Sequence, residues 1–302
     1  MPLLFTFTIM ARISKTDLIL NEDGSVYHLN LLPEDIAETV ITMGDPERVA
    51  AVSKYFDSTE VKKSKREFTT HTGYIGNKRL TVLSTGIGTD NIDIVLNELD
   101  ALVNINPETR EINKNLKSLD IIRIGTSGAV QPGIPVDSIL VSETAIGLDS
   151  LMHYYRHAYN DAEKELLMDF IAALPPALQI SPYVSSSPVT LRDDLAKNIP
   201  VGITISAPGF YAPQGREVRA QNAVAGLMQA VQQFSSAGRR ITNLEMETAG
   251  IYGLAAVLGH RAISFNVILA NRITQTFSSQ PQKAIDNCIQ NVLDRIMAIT
   301  DN

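Results

Sequence analysis

Glycine and arginine follow an apolar, strand-like segment near the start of the sequence. Within residues 43–48, Gly44 permits close approach of the backbone, Pro46 is suited to open a helix, and Arg48 adds a fixed positive charge. Backbone N–H groups at such a junction attract anions. An ordinary capped helix start with a surface arginine has the same pattern, so this segment alone leaves both interpretations open.

A second arginine lies inside an apolar run and precedes a loop rich in glycine and hydroxyl groups. Arg123 belongs to the run 121–124, and residues 125–128 read Gly-Thr-Ser-Gly. A buried arginine needs a partner, so we expect Arg123 to face either an anion or an internal carboxylate. The glycines give room and hydroxyls such as Thr126 can donate, which suits phosphate. The loop matches neither a Walker motif nor a dinucleotide fingerprint.

Two later segments suit a flat heterocycle and a sugar. Phe210, Gln214 and Arg216 combine an aromatic face, an amide that both donates and accepts, and a guanidinium that can bind a carbonyl group. An aromatic surface turn is the alternative. Glu245 and Glu247 stand two residues apart, where carboxylates can accept hydrogen bonds from a cis-diol. An acidic first helical turn explains the same spacing.

Composition narrows the classes of function. A net charge of -7 over 302 residues disfavours nucleic-acid binding, which depends on exposed lysine and arginine. The single cysteine, Cys288, excludes an internal disulfide framework and fits a reducing compartment. No apolar run approaches the ~20 residues that a membrane span needs, and no cluster of metal ligands stands out. We therefore expect a cytoplasmic protein without a metal, and leave open whether translation starts at Met1 or Met10.

The elements that must position these groups alternate between apolar runs and amphipathic runs, which indicates an α/β architecture. Strands are predicted over residues 39–43, 80–84, 121–124, 138–141, 201–206 and 262–268. Helices are predicted over residues 46–56, 91–103, 162–173, 222–235, 246–258 and 282–299. We expect one domain over residues 1–302, with an N-terminal extension at 1–20 and a polar insertion at 104–118.

Five motifs in this order resemble the nucleoside phosphorylase superfamily, of the uridine phosphorylase type. They are GDPERV (44–49), REFTT (66–70), RIGTSGAVQP (123–132), the Phe-x-x-x-Gln-x-Arg spacing of 210–216, and EMET (245–248). The resemblance implies a single-domain α/β/α sandwich around a twisted mixed sheet that partly closes into a barrel. It implies that uridine and phosphate react to give uracil and ribose 1-phosphate, with phosphate as co-substrate and no cofactor.

The resemblance also implies a role for individual residues. The phosphate-binding set is Gly44, Arg48, Arg123 and Thr126 of one subunit with Arg66 of its neighbour. The base-binding set is Phe210, Gln214, Arg216 and Arg272. The ribose-binding set is Met246 and Glu247, with His28 of the neighbouring subunit on the 5′-hydroxyl. Sites shared in this way imply a homo-oligomer, either a dimer or a hexamer built of dimers, and Glu67 matches a position that can hold a monovalent cation between subunits.

Three rival functions remain at this point. A nucleosidase of the same superfamily would use water and would not need Arg48, Arg66 and Arg123. A purine nucleoside phosphorylase would carry an acidic residue after the last strand, where this sequence reads Asn271-Arg272. A non-catalytic nucleoside-binding module is the third rival. The preference between uridine and thymidine is also left open.

Overall fold

The computed structural model describes residues 12–299, which contain twelve strands and seven α-helices. The strands, β1 to β12 in chain order, are Thr39–Met43, Ser58–Lys65, Phe68–Ile75, Lys78–Ser84, Asp120–Ala129, Ile139–Gly147, Tyr183–Ser186, Val201–Ser206, Ser235–Ser236, Arg239–Glu245, Arg261–Asn271 and Thr276–Phe277. The helices, α1 to α7, are Glu47–Ser53, Thr89–Asn104, Asp161–Ala173, Val189–Leu195, Leu227–Gln233, Thr248–Leu258 and Pro281–Ala298. The choice between Met1 and Met10 and the first part of the N-terminal extension lie outside the described residues.

The strands form one mixed sheet that closes on itself along part of its length. β5 pairs in parallel with β11, β11 antiparallel with β6, β6 in parallel with β8, and β8 in parallel with β10. β10 then pairs antiparallel with β5, which completes a ring of five strands. β1, β4, β3 and β2 continue outward from β5 as an open extension. The expectation of a twisted mixed sheet that partly closes into a barrel is therefore confirmed.

Helices cover both faces of this sheet, as the α/β/α expectation requires. α2 and α6 pack together on one face, over a core that includes Leu96, Leu99 and Ile251. α1, α4 and α7 bury the opposite face, and α3 and α5 cover β7 and β10. Apolar burial on both sides explains why the central strands read as near-continuous apolar runs. No helix among residues 12–299 is long and apolar enough to cross a membrane.

The six predicted strands all form, but one predicted helix is wrong over much of its length. The helix expected over residues 222–235 starts only at Leu227, because Gly226 adopts a left-handed backbone with φ of 86°. Such a residue cannot continue an α-helix. The sequence analysis also missed the hairpin of β2 and β3, whose outer strand has an exposed, polar pattern. Strand β7 was not predicted either.

The N-terminal arm and the polar insertion contact each other through one arginine. The insertion connects α2 to β5, and within it the side chain of Arg110 is buried. Its guanidinium donates to the carbonyl oxygens of Ile13, at 2.9 Å, Ser14, at 2.8 Å, and Leu18. Burial strengthens such charged hydrogen bonds relative to exposed ones. The insertion thus fixes the path of the arm that leads to His28.

Candidate active site

A cavity of about 880 Å³ opens where β1, β4 and β5 reach their carboxyl ends. Crevices at this position in parallel sheets are where ligands commonly bind, because several strand ends deliver loops there. Most residues of the predicted site line it. They are Gly44, Arg48, Glu67, Arg123, Thr126, Phe210, Gln214, Arg216, Met246 and Glu247.

The end of the cavity near β1 is built from two backbone turns in close contact. A Cβ on Gly44 would lie 3.3 Å from the carbonyl oxygen of Gly86, and a Cβ on Gly86 would lie 2.3 Å from the amide of Asn91. A Cβ at either position would therefore crowd this approach, and Gly86 also has a φ of 71°, which favours glycine. Arg48 extends from α1 into the same space and pairs with Asp45 only loosely, at 3.7 Å. Its charge is free to turn toward an anion.

Arg123 lies at the centre of the cavity wall and is almost fully buried. One nitrogen of its guanidinium contacts Glu247 at 2.7 Å and Glu245 at 3.0 Å. The other donates to Ser264 at 3.2 Å and to Asn266 at 3.1 Å. Burial opposes the charge, but the two carboxylates outweigh it and raise the pKa of Arg123. The sequence left an anion and an internal carboxylate as alternative partners, and the structure shows a pair of carboxylates.

Gly125 makes room for this arrangement. A Cβ at position 125 would lie between 2.1 and 2.4 Å from three atoms of the Arg123 guanidinium. The arginine side chain therefore folds back along its own strand, over the glycine, to reach the carboxylates. The expectation that glycines supply space in this segment is confirmed for position 125.

The two carboxylates of the EMET segment have different surroundings. Glu245 accepts hydrogen bonds from the backbone N–H groups of Glu247 and Thr248, at 2.9 Å each, and from the hydroxyl of Ser206. It therefore anchors the start of α6. Glu247 is the more exposed of the two, with 9% of its side chain accessible against 1% for Glu245, and its second oxygen accepts from the backbone N–H of Gly88 at 2.9 Å. Burial raises the pKa of Glu247, and Arg123 partly opposes that rise.

At the other end of the cavity, Gln214 and Arg216 form a connected pair. Arg216 donates to the side-chain oxygen of Gln214 at 2.6 Å, and its guanidinium stacks 3.8 Å from the centroid of the Phe210 ring. Arg272 lies behind the cavity wall and donates to the backbone carbonyl of Gln214. Burial lowers the pKa values of Arg216 and Arg272, and for Arg272 the nearby Arg216 adds to the effect. Neither arginine pairs with a carboxylate among residues 12–299, so this end is electropositive and offers donors.

Two predicted residues, His28 and Arg66, do not line the cavity of their own chain. They lie close together, with Tyr27 between them: the ring of Tyr27 is 4.9 Å from that of His28 and 6.0 Å from the Arg66 guanidinium. Arg66 occupies the tight β2–β3 turn with φ of 56°, a conformation that a non-glycine residue adopts at a cost. We call Tyr27, His28 and Arg66 the donor patch.

Some cavity-lining residues were missed or undervalued. The loop 85–89 carries none of the five motifs, yet Gly86 and Ile87 line the cavity. Phe277, on the short strand β12, also lines the cavity and carries no sequence motif. Among residues 12–299 no group of three or more histidine, cysteine, aspartate or glutamate side chains could hold a metal ion. Glu67 lines the cavity, and its role toward a monovalent cation stays a prediction.

Comparison with known proteins identifies the family. The sequence profile described as the phosphorylase superfamily matches residues 38–301, so the chain belongs to that superfamily. It is similar to the uridine phosphorylase of Thermococcus kodakarensis, with 31% identity over 87% of this chain and 83% of that protein. It is also similar to a DeoD-type purine nucleoside phosphorylase of Tolumonas auensis, with 26% identity over 89% of this chain and 98% of that protein.

A solved structure with the same fold is that of a Trypanosoma brucei nucleoside phosphorylase, which shows uridine phosphorylase activity. The match has a TM-score of 0.83 at 27% identity and covers 94% of this chain and 100% of that one. The superfamily expected from the five motifs is confirmed. Relatives on both the pyrimidine and the purine side are found, so the identity of the base has to be argued from the site.

Proposed function

We propose that this protein is a uridine phosphorylase, which transfers the ribosyl group of uridine to inorganic phosphate. The observation that carries the proposal is one cavity with two electropositive ends and a carboxylate between them. Arg48 lies at one end, Gln214 and Arg216 lie at the other, and Arg123 with Glu247 beside it lies between them. Phosphate, ribose and uracil have the complementary chemistry, in that order along the cavity.

In the proposed reaction, phosphate attacks C1′ from one face of the ribose as uracil leaves from the other. The transition state carries positive charge on the sugar and negative charge on the leaving base, as in glycoside cleavage. Arg48, Arg123 and Thr126 position the phosphate, while Glu247 and Met246 hold the sugar hydroxyls. The chain contributes orientation and fixed charges, which account for most of the rate gain in reactions of this type. Phosphate is a co-substrate, and the scheme uses no cofactor.

The base-binding pair favours uracil. Arg216 donates to the side-chain oxygen of Gln214, so the amide nitrogen of Gln214 points away from Arg216. That nitrogen has no hydrogen-bond partner within residues 12–299, and it can therefore donate to a ligand. That nitrogen and the remaining N–H groups of Arg216 suit the carbonyl oxygens of uracil. The Gln214 oxygen keeps a lone pair for the ring N–H. Cytosine presents an amino group and a bare nitrogen on that edge and leaves buried groups unpaired.

A purine would need an acid to protonate the departing ring, and the described cavity offers none at the base end. The carboxylates in its wall are those of Asp45, Glu67, Glu245 and Glu247. Glu245 and Glu247 pair with Arg123, and Asp45 pairs with Arg48. A Cβ on Gly86 would lie 3.1 Å from the Glu67 side chain, so Glu67 lies beside the turns at the β1 end. Asn271, where the sequence analysis expected an acid in purine enzymes, binds the carbonyl oxygens of Gln131 and Ile134 instead.

We further propose a homodimer in which the donor patch of one subunit completes the cavity of the other. The support is that His28 and Arg66 lie together but away from their own cavity, while Glu67, the next residue, lines it. The β2–β3 turn can thus contribute Glu67 to the cavity of its own subunit and Arg66 to that of the partner, if the twofold axis of an isologous dimer passes nearby.

The test is release of free base from uridine, cytidine, thymidine and inosine, each with and without phosphate. Uridine should be cleaved at least ten-fold faster than cytidine, because an unpaired buried polar group costs about 1–3 kcal/mol. Turnover should require phosphate and continue with arsenate. Equal release in phosphate-free buffer would establish a nucleosidase, inosine as the best substrate would establish a purine enzyme, and no release would leave a binding module.

A further inference from the structure

One buried carboxylate outside the cavity holds the segment that carries His28. Glu98 lies on α2, is 8% exposed, and reaches residues that precede it by about seventy positions. Its two oxygens accept from the backbone N–H of His28, at 2.9 and 3.1 Å, and from that of Leu29, at 2.8 Å. One oxygen also contacts Nδ1 of the His28 ring at 2.6 Å. A single side chain thus fixes both the backbone and the ring.

The opposite side of the segment is held by a residue of β2. Lys65 donates to the backbone carbonyl of Tyr27 and to the side-chain oxygen of Asn21, and its ammonium lies 4.5 Å from the centroid of the Tyr27 ring. The Tyr27 ring in turn meets the His28 ring edge to face. These contacts limit the rotation of the imidazole, so its direction is set by Glu98 and Tyr27 together.

The contact with Glu98 also determines which ring nitrogen is available. An ionised carboxylate only accepts hydrogen bonds, so Nδ1 of His28 must carry the proton that it shares with Glu98. Nε2 is then the nitrogen that faces outward, and it has no hydrogen-bond partner among residues 12–299. The His28 side chain is 27% exposed, on the donor patch. A nitrogen presented in this way can bind a hydroxyl group of a ligand held by another subunit.

We propose that Glu98 is the positioning residue that orients His28 toward the 5′-hydroxyl of the nucleoside in the partner subunit. It thereby sets the preference of the enzyme for substrates that carry that hydroxyl. The inference rests on the proposed function, because it assigns His28 to the shared site. Glu98 itself touches no substrate, and its effect passes entirely through the orientation of the imidazole.

The experiment compares uridine with 5′-deoxyuridine, which differs only by the absent hydroxyl. The measured quantity is the ratio of kcat/KM for the two substrates, in which the fraction of active enzyme cancels. His28→Ala should lower the ratio about three- to ten-fold, the range for one hydrogen bond. Glu98→Ala should lower it to nearly the same value, and Glu98→Gln, which keeps one acceptor oxygen, should fall between. The double variant Glu98→Ala/His28→Ala should go no lower than His28→Ala alone.

Asp100→Asn is the matched control, because Asp100 is a carboxylate of the same helix that contacts another histidine, His260, at 3.3 Å. It should leave the ratio unchanged. A folded Glu98 variant with the wild-type ratio, beside a lowered ratio for His28→Ala, would overturn the positioning role and leave the proposed function intact. An unchanged ratio for His28→Ala would remove His28 from the 5′-hydroxyl and overturn the inference with it. Absence of phosphate-dependent uracil release from the wild type would instead refute the phosphorylase itself.

Discussion

Replacement of Gly125 by alanine tests whether the cavity depends on the folded-back arginine. The added methyl carbon would lie 2.1 Å from the nearest guanidinium nitrogen of Arg123. Non-bonded carbon and nitrogen atoms need about 3.5 Å, so the guanidinium must move by more than about 1 Å. No left-handed backbone is involved at this glycine, so the change acts through the arginine and not through strain at position 125.

The cost follows from the contacts that this movement breaks. The guanidinium contacts Glu247 at 2.7 Å and Glu245 at 3.0 Å, and both distances would exceed hydrogen-bonding range. A charged hydrogen bond contributes about 1.5–3 kcal/mol, and residual attraction between the charges offsets part of the loss. We expect the free energy of unfolding to fall by about 3 kcal/mol. A similar loss of transition-state stabilisation would lower kcat/KM for phosphate about 100-fold.

Two assays measure these effects separately. Chemical denaturation gives the change in the free energy of unfolding, and initial rates at saturating uridine give kcat/KM for phosphate. Gly133→Ala is the control, because a Cβ at Gly133 meets no atom within 4 Å, and it should match the wild type in both assays. If Gly125→Ala also matched the wild type in both, the reasoning that ties the glycine to the position of Arg123 would be refuted.

Three further outcomes are expected. Inactive Arg66→Ala and Glu247→Ala proteins, mixed under conditions of subunit exchange, should regain part of the activity, because one of the two sites in a mixed dimer contains both intact residues. No recovery despite demonstrated exchange would contradict the shared site. Burial raises the pKa of Glu247 and Arg123 opposes that rise, so Arg123→Leu should raise the pKa of Glu247 further. The acid limb of the kcat/KM profile, measured at one phosphate concentration, should then move to higher pH. An unmoved limb would show that Glu247 need not ionise. Burial raises the pKa of Cys288 to about 12, so thiol reagents should modify Cys288 slowly in the native protein and fast in urea. Fast labelling of the native protein would argue against the burial of Cys288.

Much of the cavity could be predicted from the sequence because its residues belong to short local motifs. Gly44 and Arg48 lie on one strand–helix turn, Arg123 and Thr126 on one strand, and the base-binding pair on one loop. Such segments keep their residue types and spacing because the local backbone and the ligand dictate both. The alternation of apolar and amphipathic runs likewise predicted six strands. It failed for the outer hairpin of β2 and β3, where solvent on one side removes the apolar signal.

The sequence by itself determined the chemistry that the protein can offer: a buried arginine, a glycine-rich loop, an amide beside a guanidinium, and carboxylates for a sugar. Only the tertiary structure decided which of these groups meet. It distinguished Glu245, which anchors the start of α6, from Glu247, which accepts a hydrogen bond from Gly88 just before α2, although both stand in one motif. It also brought Glu98 to His28, a contact between residues far apart in the chain that no local pattern reveals. The physical reason is that the spacing of residues along a strand or helix determines which way their side chains point only over a few residues. The packing of α2 against the sheet and the arm depends instead on the whole core.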